Sequence, residues 1–464
     1  MQSTGKRKDR LDSHRNLNLA FWLLVSAFCS VLLWCLTSYT ALRLALPSRT
    51  HTTSLTPPLP PLSQAERRLQ LRHVFHHASS TGPYSGLFRR LDQPILPQRI
   101  ASSGKSDKLL RVKSKVGTVY KPTLSYFNDL VNVTTNGDMR KLNQRYHSLG
   151  NSGIYQQRDD ILPDVTDHET VLAFAKMTNN AYNDPVSSKP SDWYDLGEKW
   201  HLNSSWGWDT DGVRGHVYGD DKNTTFVLVI KGTTYGIADD KLNDNILFSC
   251  CCARVGPTWR TVCDCYRSGY QCNQTCLEES VAGNELYYRM AMDMYIELKA
   301  MYPNSVIWFS GHSLGGGVAS LLGATFGVPT VAFQSPGDRL AARRLHLPGP
   351  PGIRYEDMPI WHFGNTADPV FMGVCTGVTT SCWYAGYALE TKCHTGKTCV
   401  WDVVKEEGWR VDIRAHRITD VIERILLKNM SLPECVVETD CVDCGPWDYV
   451  DRDQSSKKAV AIAS

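Results

Sequence analysis

Apolar residues are spread unevenly along this 464-residue chain, and their pattern divides it. From Asn16 to Leu42 there is no charged residue, and Leu, Phe, Trp and Val dominate. As a helix this stretch would be about 40 Å long, more than the ~30 Å hydrocarbon core of a bilayer requires. Pro47–Ser63 (PSRTHTTSLTPPLPPLS) follows, Pro-, Ser- and Thr-rich, and reads as an extended stalk. Gln64–Gly150 is mixed and polar without a clear period, so short strands and loops are expected there.

Periodicity sharpens beyond residue 163. Behind the acidic start Thr166-Asp167-His168-Glu169, the residues Val171, Leu172, Ala175 and Thr178 recur at helical spacing. Asp192–Tyr218 scatters Trp193, Trp200, Trp206 and Trp208 among Gly and Asp, which predicts short antiparallel strands. Phe226–Ile230 (FVLVI) has the length and composition of a buried strand. Glu285–Tyr302 repeats Leu286, Met290, Met294 and Leu298 on one helical face. Val306–Phe309, Thr330–Phe333 and Met358–Phe363 are further strand-like runs, and Val318–Ala324 reads as a small-residue helix. Strands alternating with helices predict βαβ units, a mostly parallel sheet and an α/β fold.

Charge places the chain relative to a membrane. The net charge is +3, from 50 basic and 47 acidic residues. Residues 1–16 alone hold Lys6, Arg7, Lys8, Arg10 and Arg15 against Asp9 and Asp12, so the remainder is neutral and gives no sign of nucleic-acid binding. Basic residues before the apolar stretch put the N-terminus in the cytosol. The expected organisation is a cytosolic segment 1–16, a signal-anchor helix 17–42, a stalk 43–70, a lumenal α/β domain 71–434 with a Cys-rich insert 250–276, and a Cys-containing, then loose tail 435–464. A cleaved signal peptide is the competing reading, with a shorter apolar core and a small-residue cleavage site. Of the 16 cysteines, Cys29 and Cys35 lie in the apolar stretch and the rest between Cys250 and Cys444, seven in the insert and seven from Cys375 on. In a lumenal body these predict disulfides rather than zinc, at least one of them joining the two groups if all pair. His394, between Cys393 and Cys399, is expected in a disulfide loop. Asn132, Asn203, Asn223, Asn273 and Asn429 head N-x-S/T sequons, expected glycosylation acceptors in that compartment.

The chemistry is concentrated at Gly311-His312-Ser313-Leu314-Gly315, which fits the G-x-S-x-G nucleophile elbow between a strand and a helix. Ser313 must stand at the apex of a sharp turn, with glycines where a Cβ would crowd it, and the Leu314 amide aimed at a forming oxyanion. On such sheets an acid and then a histidine follow the serine. Asp368, in the turn after the strand ending at Phe363, is the acid expected to orient the base. His416, where an extended run gives way to a helix, is the expected base; His346 and His362 precede Asp368 and break the order. Thr233, just after FVLVIKG, fits the second oxyanion donor. HVFHH (His73–His77) lacks a matching ligand pattern, so packed or solvated histidines are expected there rather than a metal.

KGTT, GHSLGG and NTADPV in this order resemble the class 3, filamentous-fungal lipase superfamily. With the anchor, HVFHH, FRRLD, DVTDHETVLAFAKMTNNAY, the Cys-rich insert and AHRITDVI, the chain is similar to the vacuolar lipases of fungi that lyse autophagic bodies. The resemblance implies an α/β-hydrolase, Ser313 as nucleophile with Asp368 and His416, and Thr233 beside the oxyanion. It also implies hydrolysis of membrane phospholipids and neutral glycerolipids, with anionic phosphoinositides a candidate, on vesicles reaching the vacuole through the multivesicular body. No metal or other cofactor is implied. A hydrolase-fold glycoprotein serving binding or adhesion is the alternative, and the Ser/Asp/His set in order argues against it. Leu242, Ile246, Leu247 and Phe248 among Asp239, Asp240, Lys241 and Asp244 suit either an amphipathic lid or a helix packed on the body.

Overall fold

The computed structural model describes residues 65–92 (without 81 and 83), 110–136, 142, 154–183, 193–194, 212–347 (without 256–259 and 262) and 353–450 (without 376 and 378). The expected span 17–42, Asn203 and the tail beyond 450 lie outside them. The chain divides into Met1–Pro57 and Pro58–Ser464, and every described element belongs to the second unit. No helix among the described residues is long and apolar enough to cross a membrane.

The strands are β1 (Glu66–Ala78), β2 (Phe88–Asp92), β3 (Leu110–Pro122), β4 (Tyr155–Pro163), β5 (Gly212–Gly219), β6 (Thr225–Ile230), β7 (Tyr266–Ser268), β8 (Gln271–Asn273), β9 (Val306–His312), β10 (Thr330–Phe333), β11 (Ile360–Asn365), β12 (Lys397–Trp401), β13 (Cys435–Val436) and β14 (Asp448–Val450). The main helices are α1 (Leu124–Asn136), α2 (His168–Asn180), α3 (Ala238–Phe248), α4 (Tyr287–Met301) and α5 (Leu314–Phe326). An 11-stranded sheet runs β13-β12-β11-β10-β9-β6-β5-β1-β3-β4, with β2 beside β1. Only the run β6-β9-β10-β11-β12 is paired in parallel, and the other pairings in this sheet, β5–β6 and β12–β13 included, are antiparallel. The expectation of a mostly parallel sheet is therefore corrected to a mixed one. Parallel pairs need a crossover, and helices intervene after β6 and β9; β5 returns directly into β6 through a turn whose Asp220 carboxylate accepts from the Thr224 amide (2.6 Å).

The stretch read as short strands and loops also needs correction. β1 and β3 are 13 residues each, β1 lies inside the sheet between β5 and β3, and the strand begins at Glu66, within the expected stalk. β3 does alternate: Leu110, Val112 and Ser114 are buried while Arg111 and Lys113 are not, but the charges on its outer face hide the period in a hydropathy scan. HVFHH pairs with FRRLD, His73 opposite Asp92, with His73 Nδ1 2.8 Å from Asp92 Oδ1.

Both faces of the central strands are covered, which is why FVLVI reads as one apolar run. Phe226, Leu228 and Ile230 face α4 and α5 with Phe309, while Val227 and Val229 face the other way with Trp308, Phe333 and α2. α2 starts where expected, with Asp167 as its cap accepting from the Thr170 amide (3.0 Å). Every residue of α5 is buried.

Six disulfides form: Cys250–Cys444, Cys251–Cys272, Cys265–Cys276, Cys375–Cys382, Cys393–Cys441 and Cys399–Cys435. Cys250–Cys444 joins the two groups. Cys252 and Cys263 stay free thiols, so not all fourteen pair. Cys393 and Cys399 each reach forward to the tail, and His394 lies in the disulfide loop closed by Cys393–Cys441. The tail is accordingly fastened as far as β14, which lies against β8, and the residues beyond 450 lie outside the described ones.

Candidate active site

Ser313 stands where β9 runs into α5. Its φ of 56° and ψ of −129° place a residue with a side chain in backbone space usually left to glycine. The surrounding backbone leaves little choice. A Cβ on Gly311 would lie 2.2 Å from the Gly315 carbonyl oxygen, and one on Gly315 would lie 2.3 Å from that of Ile230. The Ser313 amide donates to the Phe333 carbonyl (3.0 Å), which ties the elbow to β10.

The structure brings Ser313, His416 and Asp368 together from three separate segments. His416 Nε2 lies 2.8 Å from Ser313 Oγ, and His416 Nδ1 lies 2.8 Å from Asp368 Oδ2. Asp368 is fully buried in the turn after β11, and its other carboxylate oxygen accepts from the Val370 amide (2.9 Å). Hydroxyl, imidazole and carboxylate in this line can pass the serine proton to the ring while the carboxylate holds the ring's tautomer. Ser313 is 8% exposed and opens on a cavity of about 550 Å³ whose lining includes Tyr235, Val370, Leu389, Ile413 and Ile418, a mainly apolar surface.

Thr233 lines the same cavity. Its hydroxyl donates to Asp244 Oδ2 (2.6 Å), so the hydroxyl is held and its backbone loop with it. Burial pushes the Asp244 carboxyl up to about 7, against the opposing effect of the Thr233 bond. Leu314 is buried and opens α5; its amide, in the first turn, has no carbonyl four residues back within the helix.

The lid reading of α3 does not survive. Leu247 and Phe248 are fully buried, and Phe248 packs on α5 so closely that a Cβ on Gly317 would lie 2.4 Å from its ring. The polar residues of α3 are used internally. Asp240 meets Lys231 (3.3 Å) and the Tyr287 hydroxyl (2.6 Å), and Asn245 bonds the backbone of Gly386 and Ala388 (3.0 and 2.7 Å). A helix satisfied on this side cannot lift away without leaving those groups unpaired.

The sequence reading missed the frame behind His416. His312 Nδ1 lies 2.6 Å from the Tyr182 hydroxyl and His312 Nε2 lies 2.7 Å from the His416 carbonyl. With Tyr182 donating to Nδ1, the proton sits on Nε2 and is given to that carbonyl. Burial, with the neighbouring His416 second, lowers the His312 pKa to about 3, which keeps the ring neutral in acid. Gln334 Nε2 and Asn365 Nδ2 both donate to the Ala415 carbonyl (2.6 and 3.2 Å). His312 was in view as the second position of the elbow. Asp244 was visible only as one of several acids, its inward position set by its i, i+4 relation to Asp240 on α3.

Among the sequons, Asn132 and Asn429 are exposed. Asn223 is half-buried and accepts from Arg72 (3.2 Å). Asn273 is corrected: it is 4% exposed and caps the helix Gln274–Val281, its Oδ1 accepting from the Cys276 amide (2.7 Å), which leaves no room for a glycan in this fold. Cys251, Cys252 and Cys272 lie close enough together to suggest a metal, but Cys251 and Cys272 are joined to each other.

The profile of a family described as Lipase (class 3) matches residues 257–329. A protein named "Putative lipase ATG15" from Pichia angusta is 47% identical over 308 residues, covering 64% of this chain and 57% of that protein. Its namesake from Candida albicans is 39% identical over 452 residues, covering 84% of this chain and 75% of that protein. The chain thus spans little more than half the length of the first relatives, 57% of the Pichia angusta and 51% of the Debaryomyces hansenii protein. Among solved structures, the Lip2 lipase from Yarrowia lipolytica is similar at 14% identity and a TM-score of 0.28, over 52% of this chain and 80% of that one, too loose a likeness to carry an argument.

Proposed function

This chain belongs to the ATG15 family of class 3 lipases, and from that premise we propose that it is a serine lipase and phospholipase that opens acyl esters of glycerolipids in the vacuolar lumen. The observation that carries the reading is the Ser313–His416–Asp368 line, two contacts of 2.8 Å opening on an apolar cavity. Ser313 Oγ attacks the ester carbonyl as His416 Nε2 takes its proton, and Asp368 stabilises the ring as it becomes cationic. The carbonyl oxygen, now negative, is met by the amides of Leu314 and Thr233, each such donor contributing about 3 kcal/mol to the transition state. His416 then returns the proton to the leaving alcohol, and water repeats the sequence on the acyl-enzyme.

We further propose that residues 17–42 anchor the chain as a type II signal-anchor, with the stretch before β1 as tether and the α/β domain in the lumen of the secretory and endosomal route. The uncharged run behind a basic segment and the six disulfides support that setting. Asn132, Asn223 and Asn429 are the described glycan candidates that remain. Vesicles delivered to the vacuole through multivesicular bodies, autophagic bodies among them, supply the phospholipid and neutral glycerolipid substrates. The test is fatty-acid release from phospholipid vesicles and from triacylglycerol emulsion by the chain and by Ser313→Ala. Equal release by both proteins would sink the assignment.

A further inference from the structure

The segment carrying His416 has a second face. There Arg410, Arg414, Arg417 and Arg424 line a groove of about 530 Å³, and Arg417 borders both this groove and the cavity over Ser313. Two of the four arginines are compensated. Asp412 accepts from Arg414 Nε (3.0 Å) and Nη2 (2.8 Å), and Asp420 lies 3.5 Å from Arg424 Nη1. Arg424 also stacks on Trp409, its guanidinium carbon 3.7 Å from the ring centre. Among the described residues no carboxylate lies within ion-pair distance of Arg410 or Arg417, so four arginines face two aspartates and a charge of +2 remains.

The backbone beneath these side chains is fixed from inside. The Asp412 amide donates to the Ala367 carbonyl (3.1 Å), and the carbonyls of Ala415 and His416 are held by Gln334, Asn365 and His312. A ligand meeting Arg410 and Arg417 therefore has little backbone to order. Guanidinium forks fit the oxygens of a phosphate, and they keep their charge at any lumenal pH.

We propose that this groove is a subsite for the anionic phosphate of a lipid whose acyl ester lies at Ser313, with Arg417 and Arg410 as its ligands. The proposal rests on the hydrolase reading above and adds which lipids the site prefers. Its support is a juxtaposition: Arg417 follows His416 directly and borders both the cavity over Ser313 and the groove, so it is placed to meet the phosphate of a lipid whose ester lies at Ser313. Four surface arginines elsewhere would mean a solvated basic face. Here Arg417, one of the two without an acid, borders the reacting cavity itself, and Arg410 lies beside it in the groove.

The experiment has a binding and a turnover arm, both on the full chain. In the Ser313→Ala background, affinity is measured for phosphatidylglycerol vesicles and for vesicles of a neutral glycolipid without phosphate. Adding Arg410→Gln with Arg417→Gln should lower the ratio of the two affinities about tenfold, the effect of losing charged hydrogen bonds. Arg68→Gln with Lys222→Gln removes the same charge from exposed positions that do not line the groove. An unchanged ratio, or an equal fall in that control, overturns the subsite. Millimolar inorganic phosphate should not displace the vesicles; displacement would assign the groove to free phosphate and overturn the lipid assignment. Undiminished hydrolysis by Ser313→Ala in the turnover arm would remove the hydrolase reading, and with it the claim that the groove serves a substrate.

Discussion

Asp244 is a buried carboxyl that borders the cavity over Ser313, with the Thr233 hydroxyl as its hydrogen-bond partner. Burial raises its pKa from 3.8 to about 7; the Thr233 bond lowers it, Asp240 raises it further, and His416 and Lys231 pull it down. Between those two values the fold keeps a proton that the unfolded chain has released. Folding is then favoured at low pH: the contribution is fully present below about 3.8 and is lost as pH rises through about 7. About 3 units at 1.36 kcal/mol each make the loss on the order of 4 kcal/mol. Asp244→Asn keeps the shape and an acceptor for Thr233 but removes the titration. Urea unfolding of both proteins from about pH 4 to about pH 8 gives the difference in unfolding free energy. That difference should move in favour of the asparagine form by on the order of 4 kcal/mol across the range, whatever its offset at any one pH. A flat difference would mean that the carboxyl ionises in the fold as readily as in water, and the burial of Asp244 as the dominant influence on it would have to be abandoned.

Asp368→Asn should lower kcat on a soluble short-chain ester about 10⁴-fold with circular dichroism unchanged, because His416 loses the partner that sets its tautomer. Thr233→Val removes the hydroxyl that holds the loop after β6 to Asp244; with the Thr233 amide as the proposed oxyanion donor, kcat should fall about 10²-fold, whereas Thr233→Ser should restore most of it, and equal activity of the two variants would refute a role for the hydroxyl. Gly232→Ala sets a Cβ 2.0 Å from the Tyr182 hydroxyl and 2.3 Å from the His312 carbonyl oxygen, so a drop in stability of about 2 kcal/mol and loss of turnover are expected, read by urea unfolding and ester hydrolysis.

The parts of the site that were legible in the sequence are those whose chemistry dictates a local pattern. The elbow needs glycines on either side of Ser313, and strand order places Asp368 before His416. His312, Tyr182, Gln334 and Asn365 were not legible, because each acts through a carbonyl or a ring that only the folded sheet brings near. The fold divides in the same way. FVLVI and VIWF announce themselves because both faces are covered. β3 carries Arg111 and Lys113 on its outer face, and β1, well inside the sheet, buries Arg67, Arg72, His73 and His76, so its apolar period is diluted by polar residues that the fold encloses. α3 left a lid and a helix packed on the body equally open, and the structure shows the second: its acids and amides look solvent-facing in a sequence, yet the body provides a partner for nearly every one.

The bridge Cys250–Cys444 closes a covalent ring across a separation of 194 residues, and Ser313, Asp368 and His416 all lie on its circumference. A single backbone cut anywhere on that ring opens it without producing two molecules. The pieces remain one particle, with Ser313, Asp368 and His416 still linked, until a reductant reaches the bridge. A sample nicked there would run as intact on a non-reducing gel and fall into fragments on a reducing one, so chain continuity and integrity of the site are separate properties in this protein.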